Sequence, residues 1–467
     1  MMVYGVVQSL WMLSLLIGCS GYNPLTEAAE KHNSIKKLDE CFCQLSGPVD
    51  VCCCDVETVD KLNTDKIYPL VSELIKQPYF KYFKINFKRK CPFWSDDGSC
   101  VLKNCHVEQC SEEDVPVFLK GEGPSDQVVC SLKSEEETKL SSIVGKFSSE
   151  QVQEFAEWAV HDDEQENFCL MEDDSSENAS YVDLIINPER YTGYSGYSAH
   201  RIWSAIHNEN CFRPKSSSRP GLPLAATLMQ ELCLEERAFF RLISGLHSSI
   251  NIHVAAEYIQ SGALTDAPRF GPNLNEFVRR FDSSNTNGQG PVWLKNIYFA
   301  YLVVLKAVTK AERVWSNYVF YTGNEKEEET INKTIQKLIS SANGCGHSLF
   351  DEKQLFNKDT ASELKEEFRA HFLNISRIMD CVGCSKCRLW GTLQVQGIGT
   401  ALKILFSAKS HFHLKRQEIV ALFNVLGRLS SSIKALQGFK SMQQVDRPDP
   451  PPPVSAPPNT HRTKKEL

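Results

Sequence analysis

The run Cys381-Val-Gly-Cys384-Ser-Lys-Cys387 places cysteines directly before a stretch that can continue as a helix, Leu389-Trp-Gly-Thr-Leu-Gln. In a Cys-x-x-Cys pair at a helix start, the two sulfurs come close together, and backbone N–H groups and the helix dipole favour the thiolate. The thiolate is the species that attacks a disulfide. Cys384 and Cys387 are therefore the candidates for a redox-active inner pair in a helical fold.

A second, looser pair lies far upstream in Cys100-Val-Leu-Lys-Asn-Cys105. It precedes an acidic segment, so we expect it on a part of the chain that can move between a partner and the core. Two closely spaced pairs on one chain indicate a dithiol relay. Two other interpretations stay open at this point: static bridges, or a zinc or iron–sulfur site at the C-terminal run with one further ligand.

The N-terminal residues indicate the compartment. Residues Val3 to Ile17 are apolar or uncharged and small residues follow, which predicts a secretory signal peptide at 1–20. No later stretch suggests a membrane span, so we expect a soluble luminal protein with peripheral or no membrane contact. Disulfides form and persist in the secretory route. Sequons that agree with this route begin at Asn178, Asn332 and Asn374.

Composition narrows the function. The chain has 18 cysteines in 467 residues, and a chain of this length does not need disulfides merely to fold. Removing Cys19 with the signal peptide leaves an odd number, so at least one thiol is free or paired transiently. The sequence assigns no partner to Cys53, Cys169 or Cys345. A net charge of -7 speaks against a nucleic-acid binder and leaves redox chemistry as the favoured function.

The predicted organisation has three parts after the signal peptide: a disulfide-rich hairpin at 38–60, a helical domain at 61–440 and a proline-rich disordered tail at 441–467. The hairpin cysteines allow several pairings, of which one is Cys41 with Cys54 and Cys43 with Cys52. The tail ends in Lys-Lys-Glu-Leu, which resembles a retention signal of the endoplasmic reticulum.

Helical signals dominate the large domain. Apolar residues recur at three- and four-residue spacing over 225–260, 291–320 and 416–437, and period-two strand patterns are scarce. Capping-box patterns predict two further helix starts, at Ser148 with Gln151 and at Thr360 with Glu363. We therefore predict a mainly α fold with one large helical domain.

Residues 100–146 interrupt this helical pattern. The segment is rich in acidic residues and poor in large apolar ones, so it cannot bury enough surface to offset the entropy of ordering. We predict a mobile loop here, tethered by Cys110 and Cys130.

Disulfide exchange alone oxidises nothing, so a dithiol relay needs an electron sink. A flavin can take two electrons from a dithiol and pass them to oxygen. The pair Gly397-Ile-Gly399 lacks the third glycine of a dinucleotide fingerprint, and no strand precedes it. The sequence therefore excludes a Rossmann unit as the way to bind such a flavin.

Four stretches of the sequence resemble the endoplasmic-reticulum oxidoreductin family, which consists of flavin-dependent thiol oxidases of protein disulfide isomerase. The resemblance covers about residues 38 to 440. It is carried by Asn187-Pro-Glu-Arg-Tyr-Thr-Gly-Tyr-Ser-Gly196, Arg241-Leu-Ile-Ser-Gly-Leu-His247, Leu294-Lys-Asn-Ile-Tyr-Phe299 and Asn374-Ile-Ser-Arg-Ile-Met-Asp-Cys-Val-Gly-Cys-Ser-Lys-Cys-Arg-Leu-Trp-Gly391.

The resemblance implies a mainly helical fold that holds FAD without a Rossmann unit, and it implies roles for individual residues. Cys100 and Cys105 resemble the outer pair that accepts electrons from the isomerase, and Cys384 and Cys387 resemble the inner pair beside the flavin. Implied structural bridges are Cys91–Cys381 and Cys211–Cys233, and implied resting bridges are Cys100–Cys130 and Cys105–Cys110. The matched flavin-binding positions are Arg190, Thr192, Trp203, Ser244, His247 and Arg280.

One position departs from the family pattern. Where the family carries Gly-Pro-Arg-Arg-Leu-Lys-Asn, this chain reads Gly290-Pro-Val-Trp293-Leu-Lys295-Asn, so Trp293 replaces an arginine expected to contact the cofactor. Either this replacement lowers the affinity for flavin, or another cation such as Lys295 or Arg279 compensates for the missing arginine.

The expected function is oxidation of protein disulfide isomerase by molecular oxygen, with hydrogen peroxide as the product and the endoplasmic reticulum lumen as the site. Two alternatives remain: a non-enzymatic disulfide-stapled luminal binding protein, and a family member inactivated at its cofactor site.

Overall fold

The computed structural model describes residues 56–95, 100, 103–120, 128–131, 168–169, 176–210, 234–260, 268–343, 352, 355–356, 361–406 and 411–445. Several predictions lie outside these residues: the signal peptide, the bridges Cys41–Cys54 and Cys43–Cys52, the bridge Cys211–Cys233, the helix start at Ser148 and the proline-rich sequence after Val445.

Within the described residues the fold is mainly helical, as the sequence predicts. Short turns of π or 3-10 helix occur at Asn63–Ile67, Lys103–Cys105, Val117–Leu119 and Met379–Cys381. The α-helices are α1 (Val56–Leu62), α2 (Tyr68–Leu74), α3 (Pro78–Lys81), α4 (Gly196–Asn210), α5 (Leu234–Ala256), α6 (Leu274–Phe281), α7 (Gly290–Lys310), α8 (Glu312–Asn317), α9 (Glu325–Asn343), α10 (Ala361–Ile378), α11 (Ser385–Phe406) and α12 (Arg416–Val445).

The described strands form three small antiparallel pairs. Strand β1 (Tyr82–Ile85) pairs with β3 (Ser180–Asp183), β2 (Val128–Ser131) with β6 (His411–Leu414), and β4 (Tyr258–Ile259) with β5 (Phe270–Gly271). The registers place Phe83 opposite Val182, Val129 opposite His413 and Tyr258 opposite Gly271.

Helices α5, α7, α11 and α12 pack against one another and form the core. Every residue of α11 from Arg388 to Leu405 is buried, and α7 is buried without interruption from Asn296 to Leu305. A helix that is apolar on all sides is stable only when other elements surround it. The two most buried helices therefore occupy the centre, where α9 packs against α7 and α10 packs against α11, while the short α1 and α2 pack against α12.

Glycine permits the closest helix approach. A Cβ atom at Gly397 would lie closer than 3.0 Å to the backbone oxygen of Ala421 and to the side chain of Val425 on α12. At Gly399 the nearest atom would be the sulfur of Cys169. Both glycines lie within α11, so their role is packing, in agreement with the exclusion of a Rossmann unit.

A buried arginine fixes the first turn of α11 against two other segments. Arg388 donates from Nη1 to the carbonyl oxygens of Phe87 and Arg89 at 3.3 and 3.2 Å. Its Nη2 donates to the carbonyl oxygen of Asn86 at 2.9 Å and to Asp380 Oδ1 at 2.7 Å. The residues before the outer cysteine pair and those before the inner pair are thereby held together.

The described residues of the segment 100–146, which the sequence predicts to be a mobile loop, make several contacts with the helical body. Cys105 and Val107 belong to the buried core, and the N–H of Cys110 donates to the carbonyl oxygen of Tyr181 at 2.9 Å. Strand β2 lies in the same segment. The local composition gives no sign of these contacts, because their partners lie in distant parts of the chain.

Two helices have the length and composition of membrane spans, contrary to the expectation that no stretch after the signal peptide does. They are Gly290–Lys310 and Arg416–Gln443, and 67% and 78% of their most apolar windows are buried inside the protein. The central helices of a soluble core have these same properties.

Replacement of Gly397 tests the close approach of α11 and α12. We expect Gly397→Ala to lower the free energy of unfolding by about 1–3 kcal/mol, because the added methyl group overpacks the helix interface. Gly438→Ala in α12 is the matched control, since nothing lies within 4 Å of its added Cβ. It should stabilise the helix by about 0.5–1 kcal/mol, because Gly438 occupies an exposed position where alanine has the higher helix propensity. Thermal unfolding, followed by circular dichroism, measures the stability of the two variants. Equal shifts of the unfolding temperature in the same direction would contradict this packing.

Candidate functional site

A cavity of about 400 Å³ opens between α4, α5, α6, the end of α10 and the start of α11. Its volume lies in the range of about 300–1,000 Å³ that is typical of ligand pockets. Apolar side chains form most of the wall, and charged side chains gather on the side of α6. The apolar and aromatic wall includes Ile202, Trp203, Ile206, Ile243, Leu246, Ile250, Val254, Ile375, Met379, Val382 and Trp390.

The inner cysteine pair lies between this cavity and the protein interior. Cys384 and Cys387 form a disulfide at the start of α11. Cys387 lines the cavity, whereas Cys384 is fully buried with 0% exposure. The backbone N–H of Cys387 donates to the sulfur of Cys384 at 3.2 Å. The helix start therefore supplies a donor to one sulfur and turns the other toward the cavity.

The outer cysteine pair lies next to the inner pair. Cys100 and Cys105 form a disulfide, and the sulfurs of Cys100, Cys105 and Cys384 all lie within 4.8 Å of one another. The backbone N–H of Cys100 donates to the carbonyl oxygen of Gly383 at 3.3 Å. Cys105 is buried, while Cys100 is partly exposed. Four sulfurs thus form a continuous path from the surface to the cavity wall.

A third disulfide braces this arrangement. Cys91 is bonded to Cys381, the pair that the resemblance implies, and it joins the segment before the outer pair to the turn before the inner pair. Arg89 Nε also donates to Asp380 Oδ1 at 3.2 Å. All three cysteines of the run from Cys381 to Cys387 are therefore engaged in disulfides.

The resting bridges Cys100–Cys130 and Cys105–Cys110 are not the pairing in this structure, because Cys100 and Cys105 are bonded to each other. Cys110 is a free thiol, and its pKa is raised by burial and by the nearby Asp183 carboxylate. Either resting bridge requires the outer disulfide to open first. They remain a prediction for another redox state of the chain.

Four of the six predicted flavin-binding residues line the cavity: Arg190, Thr192, Trp203 and Arg280. Ser244 does not line the cavity, and its predicted contact with a flavin stays a prediction. Ser244 is buried between α5 and α7, where its hydroxyl accepts from Asn296 Nδ2 at 3.0 Å. Asn296 in turn accepts from Arg241 Nε at 3.1 Å. Ser244 thus supports the helix interface behind the cavity wall.

His247 also lies behind the wall. Its ring stacks on that of Trp203 with centroids 3.5 Å apart, and Nδ1 forms a hydrogen bond with His207 Nε2 at 3.0 Å. Burial, with smaller contributions from His207 and Arg280, lowers the pKa of His247 well below its ordinary value. This shift favours the neutral form of the ring that stacks on Trp203.

The charged side of the cavity is built around Glu276 on α6. Glu276 binds Arg279 and Arg280 at 2.6 and 2.7 Å, and the hydrogen bonds from Arg279 are the largest cause of its lowered pKa. Arg280 also donates to Asn251 Oδ1. Across the cavity, burial and the nearby Arg190 lower the pKa of Lys386. One carboxylate thus orients two guanidinium groups at the cavity, which suits an anionic ligand.

The cavity wall also carries a polar cluster that the sequence pattern did not predict. Gln394 Nε2 donates to Glu189 Oε1 at 3.2 Å, and Arg428 Nε donates to Glu189 Oε2 at 2.9 Å. Gln394 Oε1 is buried and has no partner. A glutamine inside an otherwise apolar helical stretch is the signal that could have identified this cluster, because a buried amide requires hydrogen-bonding partners.

The position of the family arginine is occupied differently here. Trp293 lies in the first turn of α7 and packs partly buried against the core, and neither it nor Lys295 belongs to the described cavity wall. Of the two cations considered as replacements, Arg279 does line the cavity.

The three sequons differ in accessibility. Asn178 is exposed in the described structure, whereas Asn374 is partly buried in α10 and donates from Nδ2 to Glu209 Oε2 at 3.2 Å. Asn332 is partly buried in α9. A glycan on Asn374 would displace its hydrogen bond, so Asn178 is the best placed of the three.

Comparison with known proteins agrees with this geometry. The model of the family "Endoplasmic Reticulum Oxidoreductin 1 (ERO1)" matches residues 66–436. The ERO1-like protein alpha of Bos taurus is 44% identical over 444 residues, which cover 89% of this chain and 94% of that protein. The human ERO1-like protein alpha is 41% identical and covers 95% of this chain and 98% of its own length.

A solved structure has the same fold. It is described as "Structure of Ero1p, Source of Disulfide Bonds for Oxidative Protein Folding in the Cell". It superposes with a TM-score of 0.52 at 29% identity, covering 84% of this chain and 99% of the other. With the family match over most of the chain, the protein belongs to the endoplasmic reticulum oxidoreductin 1 family and is an oxidoreductase of the thiol oxidase type.

Proposed function

We propose that the protein reoxidises protein disulfide isomerase in the endoplasmic reticulum lumen, passing electrons through the outer and inner cysteine pairs to FAD and then to oxygen, with hydrogen peroxide as the product. One observation carries this proposal. The sulfurs of Cys100, Cys105 and Cys384 lie within 4.8 Å of one another, and the partner of Cys384 lines a cavity of about 400 Å³.

The difference in exposure between Cys100, which is partly exposed, and Cys105, which is buried, supports the order of the exchange steps. A thiolate of the isomerase attacks the partly exposed Cys100, which breaks the Cys100–Cys105 bond and forms a mixed disulfide. The second thiol of the isomerase then resolves it. The isomerase leaves oxidised, and Cys100 and Cys105 remain as a dithiol.

The second exchange follows from the position of Cys384. A thiolate of the outer pair attacks Cys384, which breaks the Cys384–Cys387 bond and releases the thiolate of Cys387 at the cavity wall. The other outer thiol resolves this mixed disulfide. The outer disulfide is restored, and two electrons now reside on the inner dithiol. Burial of Cys384 keeps small thiols from this step.

The cavity residues fit FAD. Aromatic and aliphatic walls suit a planar ring, and the guanidinium groups of Arg190 and Arg280 suit its diphosphate. The unpartnered Gln394 Oε1 can accept from a ring N–H. When bound, the flavin accepts the electron pair of the inner dithiol and transfers it to oxygen.

Arg279 can compensate for the loss of the family arginine at Trp293. It lines the cavity beside Arg280, and Glu276 holds both guanidinium groups in place. This arrangement favours a functional cofactor site over the inactive alternative. Arg279 is therefore the replacement cation that we propose.

Removal of the central sulfur tests the relay. Cys384→Ala should abolish oxygen consumption with reduced isomerase, because neither exchange with the outer pair nor formation of the inner disulfide is possible without it. Cys169→Ala is the matched control, since Cys169 is a buried free thiol outside the relay, and it should retain activity. Oxygen electrode measurements decide the point. Undiminished uptake in the Cys384 variant would refute the proposed path.

Removal of the cavity cation tests the cofactor site. Arg280→Gln should weaken FAD binding about 10- to 100-fold, because a hydrogen bond to a charged group contributes roughly 1.5–3 kcal/mol. The control Arg377→Gln removes the same charge from an exposed position on α10 and should leave affinity unchanged. Titration of flavin-free protein, followed by quenching of flavin fluorescence, measures both. Equal affinities in the two variants would argue against FAD at this cavity.

A further inference from the structure

A single side chain from the loop before α4 contacts the inner disulfide on its cavity side. Thr192 Oγ1 lies 3.4 Å from the sulfur of Cys387. Thr192 is buried, with 8% of its surface exposed, so water competes little for this contact. The family resemblance assigns Thr192 to flavin binding, whereas the contact seen here joins its hydroxyl to the sulfur of Cys387.

The local backbone determines the direction of this hydrogen bond. The N–H of Tyr194 donates to Thr192 Oγ1 at 3.2 Å, and Gly193 between them adopts a left-handed conformation with φ of 77°. A backbone N–H can only donate, so it uses a lone pair of the hydroxyl oxygen. The hydroxyl proton stays available. A disulfide sulfur carries no proton, so the hydroxyl is the donor to Cys387.

The same bond becomes stronger when the inner pair is reduced. A thiolate is a better acceptor than a disulfide sulfur, and a donor to the charged form of a group favours that form. The two inner sulfurs then have separate donors: the N–H of Cys387 for Cys384, and the hydroxyl of Thr192 for Cys387.

We propose that Thr192 is a positioning residue of the redox step: its hydroxyl holds and stabilises the Cys387 thiolate at the cavity wall when the inner disulfide is open. This inference rests on the proposed function for its purpose, but the contact itself does not depend on a bound flavin. Thr192 thereby keeps the electron-donating sulfur ionised and directed at the cavity.

Other charged groups around Cys387 contribute to its ionisation, but a substitution of Thr192 leaves these groups unaltered. Lys386 precedes Cys387 in the first turn of α11, and the buried Cys384 lies on the side of Cys387 that faces the protein interior. The remaining charged groups that line the same cavity are Glu189 and Arg190 from the loop before α4, and Glu276, Arg279 and Arg280 from α6. A comparison of variants at Thr192 alone therefore isolates the hydroxyl.

The test measures the thiolate in flavin-free, reduced full-length protein. The rate of Cys387 alkylation by iodoacetamide is followed across pH, and fragment-ion mass spectrometry separates Cys387 from Cys384. In Thr192→Val, which keeps the shape and removes the hydroxyl, the pKa of Cys387 should rise by about one unit, a tenfold loss of thiolate at pH below this pKa. Thr192→Ser keeps the hydroxyl and should retain the wild-type profile.

Two results would overturn the proposal: an unchanged pH profile in Thr192→Val, or the same rise in Thr192→Ser as in Thr192→Val. If Thr192→Val does not fold, Thr192→Ala replaces it as the variant without a hydroxyl. FAD titration of the same variants separates the roles. Weaker FAD binding with an unchanged alkylation profile would make Thr192 a flavin ligand only. If the wild-type protein fails to bind FAD, the proposed function fails while the alkylation result still decides the role of Thr192.

Discussion

The buried guanidinium of Arg388 is the interaction on which the redox site depends. Four backbone carbonyl oxygens and the Asp380 carboxylate accept its hydrogen bonds, so one side chain joins residues 86–89, the turn at Asp380 and the first turn of α11. The segment at 86–89 leads into Cys91 and the outer pair, and the turn leads into the inner pair. Charge-assisted hydrogen bonds in a buried environment are strong, and a carbonyl left without this donor would be costly. The disulfide Cys91–Cys381 adds a covalent tie at the same place.

The position of Arg388 determines the positions of the neighbouring residues of the site. Cys387 comes directly before Arg388, so its sulfur is carried to the cavity wall, and Cys384 faces the outer pair. The side chain of Asn187 brings the loop before α4 to the same place. Its Nδ2 donates to the backbone carbonyl oxygen of Glu108 at 2.8 Å, and its Oδ1 accepts from the backbone N–H of Glu108 at 2.8 Å. Trp390 Nε1 donates to the carbonyl oxygen of Asn187 at 2.8 Å. The outer segment, the loop with Thr192 and helix α11 are thus joined by directional bonds.

The sequence predicted the features that depend on local pattern. Apolar spacing predicted α7 and α12, and the cysteine spacing together with the family resemblance predicted the inner pair at the start of α11. The positions of Ser244 and His247 could not be obtained in this way. Both lie one turn apart on α5, and only the packing of α5 against α7 and α4 determines which face reaches the cavity. The role of Arg388 was equally hidden, because its partners among residues 86–89 are about 300 residues away in sequence. The order of residues 103–120 depends on similar distant contacts.

The central claim is that the outer pair exchanges with Cys384 and not with Cys387. The most direct test compares two double variants that leave one outer and one inner cysteine. Cys105→Ser with Cys387→Ser leaves Cys100 and Cys384, and Cys105→Ser with Cys384→Ser leaves Cys100 and Cys387. After mild oxidation, mass spectrometry of non-reduced peptides identifies the bridges formed. The structure predicts a Cys100–Cys384 disulfide in the first variant and no Cys100–Cys387 disulfide in the second. Equal bridging in both, or bridging only in the second, would contradict the path from the surface through Cys384 to the cavity.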